Sequence, residues 1–144
     1  KIKAIGVSNF LIDDLENLLA HCKIKPMVNQ LLIHIGNTPA DLIEYCKEQD
    51  IVVEAYSPIA HGEALKNETI AAMAQKYGVS VPQLCIKYAL NLGTVALPKA
   101  SNPKHMQDNA DLSFEISSED METLKALDFK DYGEYSYFPV FSGK

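Results

Sequence analysis

The side chains with chemistry to offer recur just after short apolar runs. Ser8-Asn9 follows residues 2–7, Asn29-Gln30 sits inside 27–33, Tyr56-Ser57 closes 51–56, and Lys99 follows 94–97. Ser8 and Asn9 bring a hydroxyl and an amide that could hold the amide or hydroxyl of a ligand. From spacing alone, capping the helix that follows Phe10 is the simpler role. Asn29 and Gln30 are consecutive amides in an apolar strand, so alternation sends one to each face. A buried amide needs partners, and a satisfied structural amide and a site residue are equal readings. Tyr56 could present its ring face to a flat heterocycle or, more simply, fill a core. The richest segment is 99–109, Lys-Ala-Ser-Asn-Pro-Lys-His-Met-Gln-Asp-Asn. There Lys99 leads into a helix start capped by Asn102, where unpaired backbone N–H groups and the helix dipole favour an anion. Ser101, Lys104 and His105 could add donors. A phosphate pocket without a glycine-rich loop and an ordinary turn with solvated lysines both fit.

His34 and His61 are further candidate polar groups, whereas His21, at a helix end, complements the dipole. No pair of histidines has metal-ligand spacing with a carboxylate, so no metal site is expected. No Ser/His/Asp or Cys/His arrangement can be assembled. Cys22, Cys46 and Cys85 are odd in number, form no Cys-x-x-Cys pair and sit at apolar helical positions, which reads as buried thiols in a reducing, cytoplasmic compartment.

These residues need elements to position them. Strand-like runs at 2–7, 27–33, 51–56 and 94–97 alternate with helical patterns. Leu15, Leu18, Leu19 and Cys22 mark the first helix, and Leu42, Ile43 and Cys46 the second, with Thr38 as its N-cap. Ile70, Met73, Ala74 and Tyr77 mark a third, and Leu84, Cys85, Tyr88, Ala89 and Leu92 a fourth, opened by a capping box from Ser80 to Gln83. Residues 102–110 and a segment capped at Ser117 complete the set. The spacing is that of parallel βαβ units. An open doubly wound sheet and part of a (β/α)8 TIM barrel compete. Polar residues gathered past the C-terminal ends of several strands favour the barrel, and the absence of Gly-x-Gly-x-x-Gly after any strand weakens the alternative. The expected class is α/β, with about four parallel βα units, an extra helix and an aromatic C-terminal tail.

Composition narrows the function. In 144 residues, 47% are apolar and 22% charged, a globular balance without internal linkers, so residues 1–144 read as one domain. No apolar run approaches the roughly 18 residues of a membrane span. A net charge of −6 with 13 dispersed basic residues argues against nucleic acid as a partner. The chain opens at Lys1 directly into a strand-like run, as if it continued something longer.

Ile5-Gly6-Val7-Ser8-Asn9-Phe10, Val28-Asn29-Gln30, Ala55-Tyr56-Ser57-Pro58 and Leu97-Pro98-Lys99 through Asn109, in this order and at these separations, resemble the aldo-keto reductases. The short connection 59–66 is most similar to the small bacterial type. The resemblance implies the second half of a (β/α)8 barrel, reduction of a small aldehyde or ketone with NADPH, and a cytoplasmic enzyme. It implies that Ser8, Asn9 and Gln30 bind the nicotinamide carboxamide and that Tyr56 stacks on its ring. Ser57 and Ile59 match the segment around the pyrophosphate, Lys99 and Ser101 the region of the adenosine 2′-phosphate, and Asp108 and Asn109 the adenine contacts. Tyr132, Tyr135, Tyr137, Phe138 and Phe141 would shape the substrate pocket.

Three departures stand out. Ala100 and His105 occupy positions where the family often has Ser and Arg, so an always-charged fork gives way to a residue type that titrates near neutrality. A weaker preference for NADPH over NADH follows. His34-Ile35 stands where His-Pro is usual. The family's catalytic Asp, Tyr, Lys and His lie in the half this chain does not match, so these residues alone would hold a cofactor without the acid/base set. Four strands also leave two edges open, which calls for an N-terminal half or self-association. A non-catalytic nucleotide-binding or self-assembling half-barrel is the alternative, and a barrel enzyme using the Lys99 pocket for a phosphorylated substrate is a third reading.

Overall fold

The computed structural model describes residues 2–133, 135 and 136. Four parallel strands form one sheet in the order β1-β2-β3-β4: β1 Gly6–Ser8, β2 Val28–Leu32, β3 Val52–Tyr56 and β4 Val95–Leu97. Strand order follows chain order, so each strand is joined to its neighbour by a helical crossover. The helices are α1 Ile12–His21, α2 Ala40–Glu48, α3 Glu68–Lys76, α4 Val81–Asn91, α5 Pro103–Ala110 and α6 Ser118–Lys125, with a 3₁₀ segment Ala60–Lys66 before α3. Register aligns Val7 with Asn29, Asn29 with Val53, and Ala55 with Ala96.

That register sorts the strand residues by face. Val7, Leu31, Val53, Ala55 and Ala96 pack with Leu15, Leu42, Cys46 and Ala89 of the helices into one core. A second core joins Ile35, Ile70, Met73, Leu84, Cys85, Tyr88, Met121 and Leu124, drawn from α3, α4, α6 and the loop after β2. The opposite face of the sheet carries Ser8, Gln30, Val52, Glu54, Tyr56, Val95 and Leu97. Val52, Val95 and Leu97 stay 50%, 46% and 38% exposed, because nothing among the described residues covers that face.

Local chemistry explains the helix starts. Ser80 Oγ accepts from the Gln83 N–H at 3.4 Å while Gln83 Oε1 accepts from the Ser80 N–H at 3.0 Å, closing the expected capping box. Asn102 and Ser117 cap α5 and α6 through the N–H groups of Lys104 and Asp120. Elsewhere the sequence expectations need correction. β1 begins at Gly6, not at residue 2, although the Ile5 carbonyl still accepts from Met27 N–H. The N-cap of α2 is Pro39. Thr38 instead shares a 2.6 Å hydrogen bond with the buried Tyr88 hydroxyl, a partner 50 residues away. The segment 60–66 forms 3₁₀ turns interrupted at His61 and Gly62. Tyr137, Phe138 and Phe141 lie outside the described residues.

Candidate functional site

Parallel strands send every C-terminal end to one side of the sheet, and that side gathers the polar side chains. Ser8 ends β1, Asn9 follows it directly, and neither caps α1. The α1 N-cap is Leu11, whose N–H is taken by Asp14 at 3.0 Å. Asn9 adopts a left-handed φ of 57°, a conformation uncommon outside glycine but accessible to Asn. In this conformation its Oδ1 accepts the Tyr56 hydroxyl at 3.0 Å, and its N–H donates to the Gln30 carbonyl at 2.9 Å. Ser8 Oγ donates to the same carbonyl at 3.1 Å. Three strand ends are thus tied together by side chains rather than by the ladder alone.

The two consecutive amides divide as alternation requires. Asn29 is fully buried on the helix side and is a structural amide: its Nδ2 donates to the Phe10 carbonyl at 2.9 Å. Gln30 lies on the uncovered face and donates to Glu54 at 2.8 Å. Glu54 is a polar residue that the strand-end pattern does not single out. Its signal was the same alternation, two positions before Tyr56. With Gly6, Ser8, Phe10 and Val28, this pair lines an open groove. Burial holds the Tyr56 phenol above its ordinary ionisation range, with the Asn9 hydrogen bond opposing it, so the ring is present as a neutral, partly covered aromatic surface.

After Tyr56 the chain makes a tight, left-handed loop. Ser57, Ala60 and His61 have φ of 51°, 49° and 52°. Ala60 N–H bonds the Ser57 carbonyl at 2.8 Å, and Gly62 N–H bonds the Ile59 carbonyl at 2.9 Å. Non-glycine residues held in this region cost of order 1 kcal/mol each and cluster where a loop must be preset. Ser57 Oγ meets His61 Nε2 at 3.0 Å.

A second grouping lies beside this loop. Ile59, Lys99, Ala100, His105, Asp108 and Asn109 line one cleft of about 230 Å³ together with Ser80 and Pro82. Ser80 and Pro82 had registered in the sequence only as a helix start; their place in the cleft depends on how α4 packs beside α5. Lys99 and His105 are exposed donors at its rim. Asp108 is engaged by Lys104 at 3.0 Å across one turn of α5. Ser101 is exposed and is not among the lining residues. The structure therefore brings Ser8, Asn9, Gln30 and Tyr56 into one network and six further candidates into one cleft, with Ser57 on the connecting loop. Among the described residues no group of three His, Cys, Asp or Glu could hold a metal ion, and no helix is long and apolar enough to cross a membrane.

The sequence profile of the Aldo/keto reductase family matches residues 1–128. A glyoxal reductase of Bacillus subtilis is 44% identical over 128 residues, which are 88% of this chain and 46% of that protein. Among solved structures, an aldo-keto reductase from a Medee basin deep-sea metagenome library superposes with a TM-score of 0.84 at 34% identity, over 96% of this chain and 54% of that one. A silkworm aldo-keto reductase, solved in complex with NADPH, superposes with a TM-score of 0.80 at 36% identity, over 88% of this chain and 42% of that one. The chain spans about half the length of the curated relatives it matches. Four parallel strands ending in one polar side, matched in sequence across nearly the whole chain and in structure to half of known (β/α)8 barrels, place this chain in the aldo-keto reductase family.

Proposed function

We propose that residues 1–144 act as one domain, the cofactor-holding half of an NADPH-dependent reductase of aldehydes or ketones. The observation that carries this reading is the division of the polar side into two parts of different chemistry. One is a network of amide and hydroxyl groups around the Tyr56 ring. The other is a cleft rimmed by Lys99 and His105. A dinucleotide has the same division: a flat amide-bearing ring at one end, and phosphates and adenine at the other. Ser8, Asn9 and Gln30 would hold the carboxamide and Tyr56 would cover the ring. Ser57 and Ile59 would border the pyrophosphate. Lys99, Ala100, Ser101 and His105 would meet the ribose phosphate, and Asp108 and Asn109 the adenine. When bound, NADPH supplies the hydride; this chain's residues orient it and exclude water from one side of it.

The resemblance assigns the family's proton-donating set to the half that this chain does not match. The 144 residues are therefore expected to bind the dinucleotide without turning over a carbonyl. Titration of NADPH against the chain, followed by the fluorescence of the reduced nicotinamide, tests the reading. Saturable binding should be weakened at least tenfold by Tyr56→Ala or Lys99→Ala. Equal binding by wild type and both variants would sink it. Carbonyl reduction by the 144-residue chain itself would overturn the assignment of the acid/base set. The uncovered sheet face supports a second reading, a non-catalytic self-assembling half-barrel, which predicts assembly without dinucleotide binding.

A further inference from the structure

The segment after α6 returns across the ends of β2 and β3. Phe129 N–H donates to the Gly36 carbonyl at 3.3 Å, the Tyr132 hydroxyl meets His34 Nε2 at 3.0 Å, and the Tyr135 ring stacks on His61 at 5.1 Å. Tyr132 is brought near Tyr56 and Glu63. Burial, and then those two groups, push its phenol up to about 12.

His34 is the centre of this contact. The ring is fully buried, with Phe129 and Tyr132 at centroid distances of 5.7 and 5.6 Å. Its Nδ1 lies 2.7 Å from the Ile35 carbonyl oxygen, which can only accept. Nδ1 therefore carries the hydrogen, Nε2 of the neutral ring presents a lone pair, and the Tyr132 hydroxyl is the donor. Gly36, at φ +95°, sits directly under Phe129, and a Cβ there would be driven into that ring.

We propose that His34 is the positioning residue of this strap: its neutral ring, fixed as the Nδ1–H tautomer, anchors Tyr132 and with it the aromatic wall beside Tyr56, and protonation of the ring releases the strap. That the wall borders the carbonyl pocket rests on the function proposed above; the anchoring does not.

Among the described residues, the titratable groups around the ring are Tyr132 on the strap and His61 on the loop after β3. Beyond Tyr132 lie Tyr56 and Glu63. Burial, opposed by the Ile35 hydrogen bond and seconded by His61, holds His34 below the ordinary histidine range. The docked state thus binds fewer protons than a released state in which the ring meets water. Docking is complete above the ordinary value of 6.5. It weakens as pH falls below that value, by up to about tenfold in the open fraction per pH unit until the depressed value is passed.

Amide hydrogen exchange on the 144-residue chain reads this directly, after correction for the intrinsic pH dependence of exchange. Protection at the Phe129 N–H should be lost progressively as pH drops from about 8 to about 5. The Ile51 N–H, bonded to the Cys46 carbonyl in the other core, should hold its protection. His34→Gln, polar but unable to ionise, should remove the pH dependence. Tyr132→Phe, which deletes one hydroxyl of a half-buried ring, should lower Phe129 protection at pH 8 by about fivefold, the worth of one hydrogen bond near 1 kcal/mol. A Phe129 protection that is flat with pH in the wild type, or unchanged in Tyr132→Phe, overturns the proposal. No dinucleotide enters the experiment, so failure of cofactor binding leaves its outcome readable.

Discussion

Single side chains set what the polar end can recognise. All 13 basic residues of the chain are lysines, so no guanidinium fork is on hand for a phosphate, and His105 stands at the cleft where one would serve. An imidazole offers one outward donor where Arg offers a planar pair. His105→Arg is therefore expected to raise the NADPH-to-NADH affinity ratio about tenfold, the worth of one added charge-assisted hydrogen bond near 1.5 kcal/mol. Titrating both dinucleotides against both chains measures it; a ratio unmoved by the substitution would place the 2′-phosphate elsewhere. Tyr56→Phe separates ring from hydroxyl. It removes the hydrogen bond to Asn9, costing about 1 kcal/mol of stability in urea unfolding, and keeps the aromatic face, so dinucleotide affinity should change little. The identity of these residues was legible in the sequence because strand ends announce themselves. Their bonding was not. The left-handed turn at Asn9 that aims its amide at Tyr56 joins residues 47 apart, and the role of Glu54 emerges only when β2 and β3 are in register.

Helices and loops show the same division between local and distant causes. N-caps are local, and those at Ser80, Asn102 and Ser117 follow from three or four consecutive residues. Thr38 fails as a cap because Tyr88, from another helix, claims its hydroxyl. Asp120 is a similar case. It opens α6 as an ordinary first-turn acid, yet Lys76 lies 2.7 Å from its carboxylate and the Tyr77 hydroxyl donates to it, tying α6 to α3. Lys76 first, then Tyr77, hold the Asp120 carboxyl below the ordinary carboxylate value. A depressed carboxylate stabilises above its unfolded value, and that stability is lost as pH falls through the folded one. Asp120→Asn should therefore lower the thermal midpoint at neutral pH by more than Ser117→Ala, whose lost cap costs about 1 kcal/mol. The gap between Asp120→Asn and wild type should close as the carboxylate is protonated in acid. Melts that stay parallel from neutral to strongly acidic pH would show that the carboxylate charge is not what holds α6.

At the scale of the molecule, the described residues cover the sheet on one face only. Strand spacing alone was compatible with a doubly wound sheet, which needs helices on both sides. The placement of polar residues decided for a barrel, and the structure agrees: all the helix packing lies with Val7, Leu31, Val53 and Ala55, while Val52, Val95 and Leu97 face outward from the opposite side. In a closed barrel those residues would be interior. Here β1 and β4 are both edges, and parallel edges with an apolar face between them are templates for further pairing. Glu54, half-buried among these apolar neighbours and bonded to Gln30, is the one charged strand residue on that face and disfavours bringing a like face close. The resulting expectation is association through the edges and apolar rim. Sedimentation of the 144-residue chain should give a mass that rises with concentration. Val52→Lys with Leu97→Lys should return it towards a monomer, without changing the far-ultraviolet circular dichroism, because neither side chain touches the helix-side core. A monomer at every concentration would mean that the apolar face tolerates water. A variant that still associates would shift the contact from the sheet to the helices.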